Sequence, residues 1–230
     1  MLCGTIHLFH RKGTAEQMNV LPPEIPELLD DSIDVMDKLL SEDKVQEGIF
    51  IGESFTSENM KGLDVLRCRF VKCEFTQACF EQAGFRDVVF ENCDFSNCDF
   101  TKAAFQRVAF LGCKLMGADF IESALRSVRF FDCDARYANF ADGKAQEIAF
   151  ENVRLENAAF LRFKLTASFS QCSLSQATFE QTLMKGFDLR TCRLGGLQVT
   201  LSDIKGAIVT PVQAADLAAL LGLVIKESEE

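Results

Sequence analysis

Phenylalanine recurs at every fifth position of this chain. Phe50, Phe55, Phe70, Phe75, Phe80, Phe85, Phe90, Phe95, Phe100, Phe105 and Phe110 all fall on multiples of five, and the series runs unbroken to Leu165. Of its 24 positions 16 are Phe and four are Leu, with Met60, Val65, Ala135 and Ala145 completing it. One residue is then missing, and the beat resumes at Phe169 and continues through Leu174, Phe179, Met184, Leu189, Leu194, Val199, Ile204 and Val209. A period of five would carry these residues around every face of a helix, and it would send alternate ones to opposite sides of a strand. The chain must therefore turn between pentads. If each pentad is one short side ending in a corner, every central residue points inward and a few sides close one coil of a solenoid.

The residue two places before each centre counts the sides. Every fourth pentad places Cys73, Cys93, Cys113, Cys133, Val153, Cys172 and Cys192 in one column, and Ala78, Cys98, Ala118, Ala138, Ala158, Ala177 and Leu197 in another. Four pentads per coil is the expected architecture, with about eight coils rising by about 4.8 Å each. The missing residue near 166 preserves these columns only if it is lost at a corner. Ala135 and Ala145 share one coil and predict a thin place in the core there.

"ADFIE" at 118–122 and "CDFSN" at 93–97 carry the motif of small residue, Asp or Asn, then Phe or Leu. The pattern resembles the pentapeptide-repeat family over residues 48 to about 210. That resemblance implies an all-β fold, a right-handed quadrilateral (four-sided) β-helix solenoid. Three segments follow: an N-terminal arm at 1–47 with a capping helix at 26–40, the repeats at 48–210, and a C-terminal helix and dimerisation segment at 211–230. The capping helix is read from apolar residues Leu28, Leu29, Ile33, Met36, Leu39 and Leu40 on one helical face. Residues 1–17 read as disordered, and Met18 as an alternative start.

All four Pro lie outside the repeats, as backbone pairing between coils requires. No apolar run is long enough to span a membrane, which with the absence of a recognisable signal peptide predicts a cytoplasmic protein. Eight of the ten Cys occupy the small inward site, where Ala and Val alternate with them, so they read as core filler in a reducing compartment. Neither a metal nor a cofactor is expected. Both His, His7 and His10, lie outside the repeats, and the carboxylates are spread over a regular surface, so an enzyme is not expected either.

The stretch "TPVQAADLAALLGLVI" at 210–225 offers a Thr cap, Pro at the first helical position and Gly222 as a stop. It resembles the C-terminal segment of Qnr-like fluoroquinolone-resistance proteins, which implies a homodimer joined through Leu217, Leu220, Leu221 and Val224. The same resemblance implies a type II topoisomerase partner, DNA gyrase above all, engaged by a rod that imitates duplex DNA. The alternative reading is an interaction scaffold for another cytoplasmic protein.

The whole chain carries a formal charge of −10, but 20 acids and 19 bases nearly balance within the repeats. One face, centred on Phe80, Phe100, Phe120 and Phe140, holds the candidate partner-binding acids Glu81, Asp99, Asp119, Glu122, Asp142 and Glu180. The adjacent face carries Arg67, Arg86, Arg107, Arg126, Lys144, Lys164, Lys185 and Lys205. Direct nucleic-acid binding there is not expected, because Tyr137 is the only Tyr and Trp is absent. Leu111, Met116, Ile121 and Phe131 predict an outward apolar belt, a candidate protein contact. The beat leaves no room for a projecting loop, which argues against drug protection more than against gyrase binding.

Overall fold

The computed structural model of the chain describes residues 19–31 and 43–223. It is a β-solenoid of about eight turns with few helices, and all of its strand pairs are parallel. Coils repeat every 20 residues: Phe50 lies over Phe70, Phe70 over Phe90, Phe90 over Phe110, and Phe110 over Phe130. We number the four faces by their centres: face 1 (Phe50, Phe70, Phe90), face 2 (Phe55, Phe75, Phe95), face 3 (Met60, Phe80, Phe100) and face 4 (Val65, Phe85, Phe105).

Faces 4 and 1 form one folded sheet. Its strands are β1 (Lys44–Gln46), β2 (Ile49–Ile51), β3 (Asp64–Leu66), β4 (Arg69–Val71), β5 (Gly84–Glu91), β6 (Ala104–Leu111), β7 (Ala124–Phe131), β8 (Lys144–Glu151) and β10 (Lys164–Ser170). Faces 2 and 3 are mostly ladders of single bridges, such as Glu74 to Asp94 to Lys114 and Cys79 to Asp99 to Asp119. On face 3 the last coils regain strands, β9 (Ala159–Leu161), β11 (Thr178–Glu180) and β12 (Gln198–Val199). The in-register coil starts at Val45, which is buried and lies over Val65.

A left-handed residue forms nearly every corner, two places after the centre: Gln77 has φ 61°, Asn97 57° and Tyr137 61°. Such a conformation costs a side chain of order 1–2 kcal/mol. The corner amides offset it, since Ser57 N–H donates to Thr76 O and Gln77 N–H to Ser96 O of the next coil. Where Asp or Asn precedes the centre, its side chain tightens the turn, as when Asp99 Oδ1 accepts from Thr101 N–H at 2.8 Å. Coils lacking that residue keep the corner, so the motif's Asp assists the turn and does not define it.

Inside, the rings stack in columns. Phe110 and Phe130 are 4.9 Å apart at 3°, and Phe140 and Phe160 are 4.9 Å apart at 3°. Neighbouring columns meet edge to face, as Phe90 does Phe95 at 85°. Both arrangements are worth about 0.5–1.5 kcal/mol beyond burial. The Cys columns fill the corners beneath: Cys73 Sγ donates to Phe50 O and Cys113 Sγ to Phe90 O, both at 3.4 Å. Burial pushes the Cys68 thiol up to about 11 and that of Cys98 to about 12, so these thiols stay protonated. The nine described cysteines are free.

The lost residue sits at a corner as expected. Leu165 pairs with Ala145 and Ala167 with Ile148, a register shift that removes one left-handed corner and restores the columns at once. The thin place expected at Ala135 and Ala145 is absent. Both residues are buried, and Phe163 occupies the small inward position one coil on, its ring 5.9 Å from Phe140 and 6.0 Å from Phe160. Gly143 makes room, since a Cβ there would stand 2.7 Å from Phe163 Cε2. Phe163 thus adds a ring at the corner of faces 3 and 4 one coil beyond Ala145.

The N-terminal segment is a strap rather than a helix where it is described. Residues 26–31 are bends and an isolated bridge, in which Asp30 N–H donates to Glu47 O and Asp30 O accepts from Ile49 N–H. Residues 32–40 of the expected capping helix, like residues 1–17 and Met18, lie outside the described residues. At the other end, helix α1 (Leu201–Ile204) closes the last coil and α2 (Pro211–Leu217) caps it. Thr210 and Gln213 form a reciprocal capping box, and Gln213 Nε2 donates to Leu189 O and Cys192 O, two carbonyls near the end of the rod.

Candidate functional site

The rod's chemistry lies on its outward residues, which stand just before and just after each inward centre. Residues 20 apart on one face are one coil apart, so a side chain's charge partner is set by the coil register. Face 3 brings all six sequence-selected acids, Glu81, Asp99, Asp119, Glu122, Asp142 and Glu180, to one side. It also neutralises half of them. Glu81 pairs with Lys61 at 2.6 Å, Asp142 with Arg162 at 2.6 Å, and Glu122 with Lys102 at 3.9 Å. The Arg162 contact is bidentate and holds the Asp142 carboxyl below its usual range.

Asp99, Asp119 and Glu180 have no ion-pair partner among the described residues. Asp99 and Asp119 are bridged neighbours on consecutive coils, and burial, with Asp99 adding repulsion, raises the Asp119 carboxyl. The acidic face thus holds one neighbouring pair of carboxylates without ion pairs, Asp99 and Asp119, and a distant third, Glu180, among internal pairs, not a continuous anionic stripe.

The expected apolar belt divides. Met116 is exposed and Ile121 half-buried, but Leu111 is only 6% exposed because Ile25 of the strap packs on it together with Val89, Ala109 and Phe131. The guanidinium of Arg129 lies 5.5 Å over the Phe131 ring. Sequence spacing placed Leu111 outward correctly, yet a segment some 80 residues away covers it. Beside this contact, Asp87 is buried and accepts Arg107 Nε and Nη2 as well as the backbone N–H of Glu24. That junction was missed in the sequence, where Asp87 reads as one more corner residue.

The C-terminal end presents apolar surface. Leu220 and Leu221 are exposed, as are Val212 at 74% and Leu223 at 57%, while Leu217 turns partly onto the core. Val224 lies outside the described residues. Face 4 carries a groove of about 580 Å³ running from Lys44 to Gln146, and a shallower hollow of about 510 Å³ lies on face 2 beside Arg154 and Arg193. Among the described residues no group of three or more His, Cys, Asp or Glu could hold a metal ion. No helix among them is long and apolar enough to cross a membrane.

The uninterrupted pentad register, with four pentads to a coil, coincides with a family match: residues 85–160 fit the family model described as a pentapeptide repeat region. Residues 85–160 of this chain are a pentapeptide repeat region. No curated protein matches the sequence. Among solved structures, the chain is similar to a trypsin-treated form of QnrB1, a plasmid-mediated fluoroquinolone resistance protein. Identity is 20%, over 80% of this chain and 92% of that one, with a TM-score of 0.35. It is also similar to HetL, a pentapeptide repeat protein involved in heterocyst differentiation regulation from the cyanobacterium Nostoc sp. strain PCC 7120. There identity is 18%, over 72% of this chain and 89% of that one, with a TM-score of 0.31.

Proposed function

We propose that this protein is a non-enzymatic, cytoplasmic binding rod whose partner is DNA gyrase or another type II topoisomerase. The observation that carries the reading is the pair of carboxylates Asp99 and Asp119, without an ion pair among the described residues and on neighbouring coils of a straight face without an insertion, with exposed Glu180 three coils further along. The partner class is the one that the resemblance of the C-terminal stretch to Qnr-like proteins implies, and protection from fluoroquinolones is the accompanying activity to test. Mimicry of duplex DNA along the whole rod is not part of the proposal, since internal pairing leaves too few free charges. Docking uses the Asp99–Asp119 cluster and the ends of a homodimer joined through Leu217, Leu220, Leu221 and Val224.

The test is a gyrase supercoiling assay titrated with the protein, with and without a fluoroquinolone. Inhibition, or rescue from the drug, at about micromolar protein is the expected result, lost in Asp99→Lys/Asp119→Lys. No effect in either arm overturns the topoisomerase reading. A second reading, a scaffold for another cytoplasmic protein, is favoured by that same internal neutralisation, which suits a surface without a strong long-range field. The dimer is checked separately by sedimentation, where Leu220→Asp/Leu221→Asp should yield monomers.

A further inference from the structure

Cations and acids are matched over most of this surface. Eleven Lys and Arg of the described residues hold a carboxylate within 4.0 Å, most of them one coil away. Of those without a partner among the described residues, all but Lys72 and Arg193 stand on face 4. They run from Lys44 through Arg86, Arg126, Lys144 and Lys164 to Lys205.

The register explains why. Arg86 lies between Leu66 and Gln106, and Arg126 between Gln106 and Gln146. Lys144 lies directly over Lys164, so like charges meet where an opposite pair would have been stabilising. The acids of this face are engaged elsewhere: Glu47 and Asp87 bind Arg67 and Arg107 at the corner, Glu147 takes the Ser127 hydroxyl, and Asp203 is buried against Thr200 and Gln181 N–H. Only Asp43 and Asp64, at the N-terminal end, oppose the row among the described residues.

The same face is hollow. Gly84, Ala104 and Ala124 stand just before three successive centres and form a floor with no side chain beyond Cβ, beneath Arg86, Gln106 and Arg126 on one rim. The 580 Å³ groove runs along the rod axis, across the strands. Its six strands, five steps of about 4.8 Å, make it about 24 Å long.

We propose that this groove is a docking surface for an acidic α-helix of a protein partner. Arg86 and Arg126 are two coils apart, about 9.6 Å. Carboxylates seven residues apart on one face of a helix are about 10.5 Å apart and meet both. The methyl-lined floor accepts the small residues between them, the helix-in-groove mode of recognition. Nucleic acid fits less well: the aromatic residues along the groove, Phe85 and Phe105, are buried in the core and offer no ring for base stacking, and a single row of cations would neutralise few phosphates of a duplex. The inference is independent of the topoisomerase reading, because a peptide probe reports on face 4 whatever gyrase does.

The probe is a fluorescein-labelled alanine-based helix of about 16 residues with glutamate at every seventh position, beside a glutamine version and duplex and single-stranded oligonucleotides. Anisotropy should show binding of the glutamate helix that falls with salt, weakened about tenfold or more by Arg86→Glu/Arg126→Glu. Lys72→Glu, an unpaired cation off this face, should leave it unchanged, and Ala104→Leu, which fills the floor without touching charge, should weaken it. Arg86 and Arg126 are exposed, so their reversal leaves the fold intact, as a circular dichroism melt checks. Failure of the glutamate helix to bind, equal binding of the glutamine helix, equal loss in Lys72→Glu, or tighter binding of either oligonucleotide overturns the proposal.

Discussion

Faces 3 and 4 share a corner, a repeat and a backbone, yet they treat charge in opposite ways. On face 3 the residue 20 positions from an acid is often a base, so Lys61 meets Glu81 and Arg162 meets Asp142. On face 4, apart from Lys44 opposite Asp64 and the corner pairs of Arg67 and Arg107, the residue 20 positions from a base is Leu, Gln, Ala or another Lys, and those cations have no ion-pair partner among the described residues. Counting charges per face makes one acidic and the other basic. Following the register makes one half neutralised by its own bases and the other a row of unpaired cations, and the second attracts an oppositely charged partner more strongly.

The largest test removes what both faces rest on. Phe163 fills the corner between them, and Phe163→Ala should cost about 3–5 kcal/mol in urea unfolding. Gly143→Val, which thrusts a side chain into that ring, should destabilise to a similar degree. A small loss in either would mean that the two faces are supported separately.

Next in size is the paired exception on face 4. Asp87→Ala leaves the half-buried Arg107 without its carboxylate and Glu24 N–H without its acceptor, a loss of about 3 kcal/mol. Limited proteolysis should then cut the strap near Ile25 sooner than in the wild type. An unchanged cleavage rate would show that apolar packing on Leu111 alone holds it.

Breaking an exposed pair on face 3 should cost far less. Lys61→Gln frees Glu81 and should change stability only slightly, and Arg86→Gln on face 4, with no described partner to lose, by still less. What Lys61→Gln should alter is binding: a freed carboxylate enlarges the Asp99–Asp119 cluster and should strengthen any gyrase effect. Equal stability losses for the two variants would erase the contrast between the faces.

The smallest effect is in pH dependence. Arg136 and Arg190 depress the Asp134 and Asp188 carboxyls, as Arg162 does Asp142. Their contribution is present above the unfolded value of 3.8 and is lost as pH falls through the folded values beneath it. Asp119 runs the other way: its folded value is raised, so its ionisation costs stability as pH climbs above 3.8. Asp119→Asn should therefore raise the midpoint of thermal unfolding at pH 7 and leave it unchanged at pH 3. A melt series across that range checks both signs.

Much of this was legible before any coordinates. The Phe beat gave the inward centres, the small columns gave four sides per coil, and the Thr-Pro start and Gly222 stop gave the C-terminal helix. The candidate acids were correctly gathered on one face. Their pairing was not read, although a +20 offset between Lys61 and Glu81 could have revealed it. Leu111 carried no signal of its cover, because Ile25 lies in a segment without the repeat.

Spacing along the chain alone determined the coil, its four sides and the inward residues, because a five-residue period is incompatible with an unbroken helix or strand and stacking must keep like columns together. Tertiary structure decided which charges are neutralised, where the strap lies and where Phe163 adds a ring at the corner of faces 3 and 4. Those outcomes depend on side-chain direction and on contacts between distant segments, which no local period encodes.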